Sequence, residues 1–213
     1  RTFPVLVLDG QAIGDSTRII ETLERLHPDP PLYPSEPLAR RRALELEDFF
    51  DEELGPASRL LTFSYLLTDA GLLLGAAVPE LKGPRLFLAR ATFPRIRRQL
   101  RAELDIDPVA VEHAYAKLHA VAERFRQALQ PSGYLVGDGF TVADLTLASL
   151  LGPPVAPEQF PYPQPQRRHP ALAPLRAVLA ESGLLEWTRE IYARHRSPSA
   201  EVAVAPERTG VAA

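Results

Sequence analysis

The 213-residue sequence contains no cysteine. That excludes disulfides, thiolate metal ligands and a cysteine nucleophile among these residues. Methionine is absent too and the chain opens on Arg1, which fits a chain that is part of a longer translation product. Lysine is nearly absent: 22 arginines stand against 2 lysines. With abundant alanine and proline, that bias reads as the mark of a GC-rich genome rather than of a mechanism. The formal net charge of −3 supplies none of the basic excess on which nucleic-acid binding depends, so no nucleic acid is expected as a partner. No secretory signal precedes the first apolar run, and the protein is read as cytoplasmic. The most lipid-like window, residues 60–81, carries Asp69 near its middle and Pro79 near its end. An ionised carboxylate at that depth would cost several kcal/mol, so the window is read as a buried helix with a break and no membrane partner is expected.

What is present fits a soluble globular protein, with 46% hydrophobic and 24% charged residues. Val5 to Leu8 form a continuous apolar run, as in a strand covered on both faces. Asp9-Gly10 signals a type I′ hairpin turn, which needs positive φ at both central residues. Gln11 to Ile13 form the returning strand. Ser16 then stands where a helix cap belongs, and Ile19, Ile20, Leu23 and Leu26 follow at helical spacing until His27-Pro28. The unit is strand, turn, strand, helix.

A linker, HPDPPLYPSEP, carries five prolines over residues 27–37 and cannot continue a helix. Everything after it reads as helical. Residues 38–54 end in carboxylates gathered around Phe49 and Phe50; residues 57–77 are more apolar; residues 85–104 are arginine-rich and interrupted at Pro94. Asp107 caps the next helix, Pro108 suits its first position, and Val111, Tyr115, Leu118, Ala122, Phe125 and Leu129 form its stripe. Thr141 and Asp144 stand three apart, as in a capping box with Asp in place of the usual Glu, and Phe140 with Leu145 suits a hydrophobic staple. Only one ionisable group occurs in residues 141–151, so that helix is expected to be central and buried. The six prolines of residues 153–165 predict an irregular crossing segment. Helices over 171–182 and 184–195 follow, parted by Gly183. The tail, 197–213, is patternless and reads as disordered.

With these pieces in order, the sequence resembles the glutathione transferase family. FPVLVLDGQAIGDSTRIIETLERLHPDPPLYP looks like the second half of that family's thioredoxin-like domain, and YLVGDGFTVADLTLASLL like the capping-box helix of its all-helical domain. The resemblance covers nearly all of residues 3–196. It implies an α+β, mostly helical fold: a partial thioredoxin-like domain over 1–30, a proline-rich linker over 31–37 and an all-α C-terminal bundle over 38–196. It also implies that the first half of the thioredoxin-like domain, with the tyrosine, serine or cysteine that contacts the glutathione sulfur, lies outside these residues. The catalytic residue is therefore unassigned.

The remaining site residues follow from the same resemblance. Pro4 aligns with a cis-proline, which would let Phe3 offer its N–H and C=O to the peptide part of glutathione; an ordinary trans proline opening a strand is the alternative. Asp15 and Ser16 match the pair that holds the γ-glutamyl end, Ser16 and the first helix amides taking the carboxylate and Asp15 the ammonium. Both residues also suit plain capping, and the two roles are compatible. Phe49, Phe50, Leu54 and Tyr65 fall where the family's electrophile pocket lies, although core packing suits each of them better. Thr141 and Asp144 are structural. The arginines at 85, 90, 95, 97, 98 and 101 read as a solvated face rather than an anchor for an acidic substrate. Trp187, Tyr192 and the RHR of 194–196 read as structural. His113, His119 and His169 show no metal-ligand spacing with acids, and no metal is expected.

The chemistry implied is attack of a glutathione thiolate, with glutathione as co-substrate, on a small electrophile, as in detoxification. A free thiol has a pKa near ~8.5, so a helix terminus and one hydroxyl donor must lower it by about two units for the thiolate to dominate at neutral pH. Two other functions share the fold: a non-catalytic binding or scaffolding protein, and a transferase using a different low-molecular-weight thiol. The resemblance also implies a homodimer.

Overall fold

The computed structural model describes residues 4–161 and 170–196. The chain begins with a hairpin, β1 (Val5–Leu8) and β2 (Gln11–Gly14), antiparallel with Val5 opposite Gly14 and Leu8 opposite Gln11. Asp9 (φ 49°) and Gly10 (φ 79°) supply the two positive φ angles of the turn. The expectation that β1 is covered on both faces does not hold among the described residues. The sheet has two strands, and Val5 and Val7 are 44% and 67% exposed. Helix α1 (Ser16–Leu26) packs back on the hairpin.

The linker is tied down rather than loose. The Glu24 carboxylate accepts the amides of Leu32 (2.9 Å) and Tyr33 (3.2 Å), and the Leu32 carbonyl accepts Val142 N–H at 3.0 Å. Tyr33 is buried, with the Arg40 guanidinium 4.8 Å above its ring.

Helix α2 (Pro37–Leu66) is the spine of the helical unit, capped by Glu36. Its core face repeats at four and three: Ala43, Leu46, Phe50, Leu54, Ala57, Leu61 and Tyr65 are all buried. The sequence predicts a break near Gly55-Pro56, but the helix runs through it. Pro56 lacks the N–H that would bond the Glu52 carbonyl, and both residues lie on the exposed side, where water can serve that carbonyl. Asp69 then interrupts the lipid-like window by capping α3 (Ala70–Ala77), its Oδ1 accepting from Gly71 N–H at 2.7 Å. Helix α4 (Gly83–Glu103) likewise continues through Pro94, exposed one turn after exposed Arg90. No helix among the described residues is long and apolar enough to cross a membrane.

Helix α5 (Pro108–Ala128) starts on Asp107, which accepts from Ala110 N–H at 2.8 Å. It buries Ala114, Leu118, Val121, Ala122, Phe125 and Ala128, while Val111 and Tyr115 are half-buried and Leu129 is exposed. Helix α6 (Val142–Val155) is central, packed against α2 and α8 (Leu184–His195). Its capping box forms: Asp144 Oδ2 accepts Thr141 N–H at 2.9 Å, and Oδ1 takes Leu135 N–H at 2.9 Å. Asp144 is fully buried, and burial pushes its carboxyl above the usual range despite these donors.

The irregular segment expected from residue 153 begins later, because α6 carries Pro153 and Pro154 in its last turn. Pro154 cannot donate to the Leu150 carbonyl, and the Ser58 hydroxyl of α2 does so instead, at 2.6 Å. A 3-10 turn (Pro170–Leu172) leads into α7 (Ala173–Glu181), and Gly183 at φ 82° turns the chain into α8. Trp187 is anchored by Nε1–H donating to the Gly133 carbonyl (2.9 Å) and by an edge contact with Phe125. Part of the 153–165 segment and the whole 197–213 tail lie outside the described residues, as does His169.

Candidate functional site

At the start of α1 two cap-forming residues stand side by side. The structure chooses Asp15, not Ser16. Asp15 adopts φ 77°, ψ 127°, a conformation rare for a residue with a side chain, and its carboxylate accepts Arg18 N–H at 3.3 Å. Its carbonyl takes Ile19 N–H at 3.1 Å. Ser16 is thereby moved into the first helical position. Its hydroxyl is released from capping, and the amides of Ser16 and Thr17 remain as the unpaired donors of a helix start.

Ser16 and Thr17 line a cleft between α1, α2 and α6. Ser16, Thr17 and Ile20 form one wall, Glu47 and Asp51 the second, and Leu145, Thr146, Ser149 and Leu150 the third, enclosing about 210 Å³. Glu47 and Asp51 lie four apart on α2 and so share a face. Glu47 bridges the two units, its Oε1 accepting the Thr17 hydroxyl at 3.0 Å. The residue is 2% exposed, and its Oε2 has no hydrogen-bond partner. Burial pushes the Glu47 carboxyl above its ordinary range, with Asp48, Asp51 and Glu21 adding to the effect and Thr17 opposing it. Tyr33, whose hydroxyl is also buried without a partner, is pushed up to about 12 by burial and by the charge of Glu47.

A second hollow of about 150 Å³ adjoins the first, sharing Leu145 and Ser149 and lined also by Phe140, Tyr192, His195 and Arg196. The His195 ring stacks on Phe140 with centroids 4.2 Å apart, and its Nε2 lies 3.1 Å from the Tyr134 hydroxyl. Burial holds His195 below its ordinary value. These contacts fit the structural role expected for the 194–196 stretch.

The structure brings Ser16 to the cleft with Asp15 beside it as the cap. Pro4 is exposed ahead of β1, and the expected cis bond joins it to Phe3, which lies outside the described residues. Phe49, Phe50, Leu54 and Tyr65 do not line the cleft. Phe50, Leu54 and Tyr65 are at most 4% exposed within the helical core, and Phe49 packs edge-on against Phe50 with centroids 5.6 Å apart. The α2 face carrying them is the one that meets α5 and α6, so packing claims it. The arginines of α4 lie away from the cleft, five of them outside every ion pair among the described residues and Arg101 bonded to the Ile106 carbonyl at 3.3 Å. Sequence reasoning missed Glu47. The i, i+4 pairing with Asp51 was there to find, but nothing local says which face of α2 meets α1.

Comparison with known proteins agrees with this arrangement. Residues 1–31 match the family model for the glutathione S-transferase N-terminal domain, and residues 90–179 match that for the C-terminal domain. A probable maleylacetoacetate isomerase of Caenorhabditis elegans is 26% identical over 183 residues, which is 83% of this chain and 68% of that protein. A glutathione S-transferase from Methylobacterium radiotolerans, solved in complex with glutathione sulfonate, superposes with a TM-score of 0.56 at 20% identity, over 96% of this chain and 76% of that one.

Proposed function

Because the chain belongs to the glutathione transferase family, we propose that it binds glutathione at the start of α1 and directs its thiolate at a small electrophile. The observation that carries this reading is the opening of α1 onto the cleft, whose lining includes Ser16 and Thr17, the first two residues of the helix. A helix start with spare donors and its positive dipole end is suited to a carboxylate. The γ-glutamyl carboxylate is the group this site would hold, with Phe3 and Pro4 along the peptide. Positioning the tripeptide places its sulfur near the electrophile and turns a bimolecular encounter into a local one.

Conjugation and isomerisation share a first step. A thiolate that adds to an activated double bond and stays yields a conjugate; one that leaves after rotation returns an isomer and is itself regenerated. The similarity to a maleylacetoacetate isomerase favours including the second outcome. The test is turnover by the full-length protein with glutathione and two electrophiles, an activated aryl halide and a conjugated cis-alkene acid. Glutathione-dependent consumption of either supports an enzyme. No turnover of either, with glutathione still bound, would support the binding-protein reading instead.

A further inference from the structure

Helix α4 carries a face that the described residues leave uncovered. Residues 82–102 hold Lys82 and six arginines and no acid, in a chain with 27 acidic residues and a net charge of −3. A general arginine bias does not account for such a run. The helix packs chiefly on α3. Its inward face repeats at three and four, with Leu86, Ala89, Phe93, Ile96 and Leu100 buried or half-buried. The opposite face carries Phe87, Leu88, Ala91, Arg95 and Arg98, all exposed. Phe87, at 77%, is the most exposed large hydrophobic side chain among the described residues, and Leu88 beside it is 64% exposed. Lys82, Arg85, Arg95 and Arg98 join no ion pair among those residues. Arg90 and Arg101 are engaged elsewhere, the first beside Gly71 of α3 and the second on the Ile106 carbonyl. The nearest acids along the chain, Glu80 and Glu103, stand beyond the two ends of the run, and Glu103 accepts from Gln99 Nε2 at 2.8 Å.

An apolar tip that points outward, with cations before and after it, suits a surface that is both anionic and able to take up apolar side chains. A nucleic-acid backbone would pair with the arginines and leave Leu88 in water. The headgroup layer of an anionic membrane meets both demands, offering phosphates to the guanidinium forks and the acyl boundary to Phe87 and Leu88. The charge at Asp69 argues against a span through residues 60–81, but a helix lying on a surface needs no span. We propose that the outward face of α4 docks the protein on an anionic lipid surface. Phe87 and Leu88 enter the headgroup boundary, and Lys82, Arg85, Arg95 and Arg98 pair with lipid phosphates along a helix of 21 residues, about 30 Å long. No residue of α4 lines the cleft at α1, so docking is separable from the glutathione reading and does not rest on it.

The test is co-sedimentation of the full-length protein with vesicles of phosphatidylcholine alone and of equal parts phosphatidylcholine and phosphatidylglycerol. Two double variants accompany the wild type, Phe87→Ser with Leu88→Ser and Arg95→Gln with Arg98→Gln. All four positions are exposed, so neither pair disturbs the core. Wild type should bind the anionic vesicles about tenfold or more tightly than the neutral ones, with the preference shrinking as salt is added, and each double variant should weaken anionic binding by about tenfold or more. No binding of wild type to the anionic vesicles would overturn the proposal, as would binding that neither variant weakens. Loss in the arginine variant alone, matched by an equal loss of affinity for single-stranded DNA, would overturn it in favour of a polyanion site. A lower molar mass in light scattering for the Phe87 and Leu88 variant, with vesicle binding unchanged, would overturn it in favour of a second copy of the chain on this face.

Discussion

At the scale of single residues, burial decides role. Phe50 is fully enclosed between α2 and the helices packed on it, so Phe50→Ala should cost about 3–5 kcal/mol in urea unfolding, the range for a truncated core aromatic. A change in substrate affinity with stability intact would return it to a pocket. Glu47 makes a prediction with a definite sign. Its folded pKa is raised above the unfolded value, so in that interval the native state binds more protons than the unfolded chain. Stability therefore falls as pH rises from about 4.3, the ordinary glutamate value, through the raised folded value. The groups facing Glu47 are Thr17 and Glu21 of α1, Tyr33 of the linker, Asp48 and Asp51 of α2, and the uncharged α6 wall. Glu47→Gln should flatten this decline in unfolding free energy measured across pH, leaving the contribution of Asp144, which is raised in the same direction. An unchanged slope would show that Glu47 does not titrate in this way.

At the scale of elements, the end of α6 shows how a helix tolerates two prolines. The Leu150 carbonyl, deprived of its donor by Pro154, is served by Ser58. Ser58→Ala should destabilise the protein by about 1–3 kcal/mol, the cost of stranding a buried acceptor. In a Pro154→Ala background the penalty should shrink, because the helix can then supply its own donor; a double-mutant cycle on unfolding free energies measures the coupling. Additive penalties would refute the exchange. Locally encoded features were legible in the sequence for a physical reason. The Asp9-Gly10 turn, the Asp107 cap, the Thr141–Asp144 box and the Gly183 junction each depend on a few adjacent residues. Proline does not mark the ends of these helices. Pro56 and Pro94 are accommodated on exposed faces and Pro154 by a hydroxyl 96 residues away along the chain, at Ser58, a compensation that local sequence does not announce. The site divided along the same line. Ser16 was found from its position at a helix start, but the choice of Asp15 as cap depends on its positive φ after β2, and Glu47 depends on how two units meet.

At the scale of the whole molecule, the cleft exists because few but specific contacts hold the αβ unit to the helices. Thr17 reaches Glu47, Glu24 gathers the linker amides, and Leu32 accepts Val142 at the start of α6. The same first turn of α1 that makes one of these contacts also lines the cleft, so a ligand there touches both units at once. Such a ligand binds the folded protein and not the unfolded chain, and at a hundredfold excess over Kd it should raise stability by about 2.7 kcal/mol. The measurement that addresses the central claim most directly is a calorimetric titration of the full-length protein with glutathione, beside its Ser16→Ala variant. Saturable binding in wild type, lost or weakened by about tenfold or more when the hydroxyl at the start of α1 is removed, is the predicted result. Equal affinity in the two proteins, or no binding in either, would contradict it.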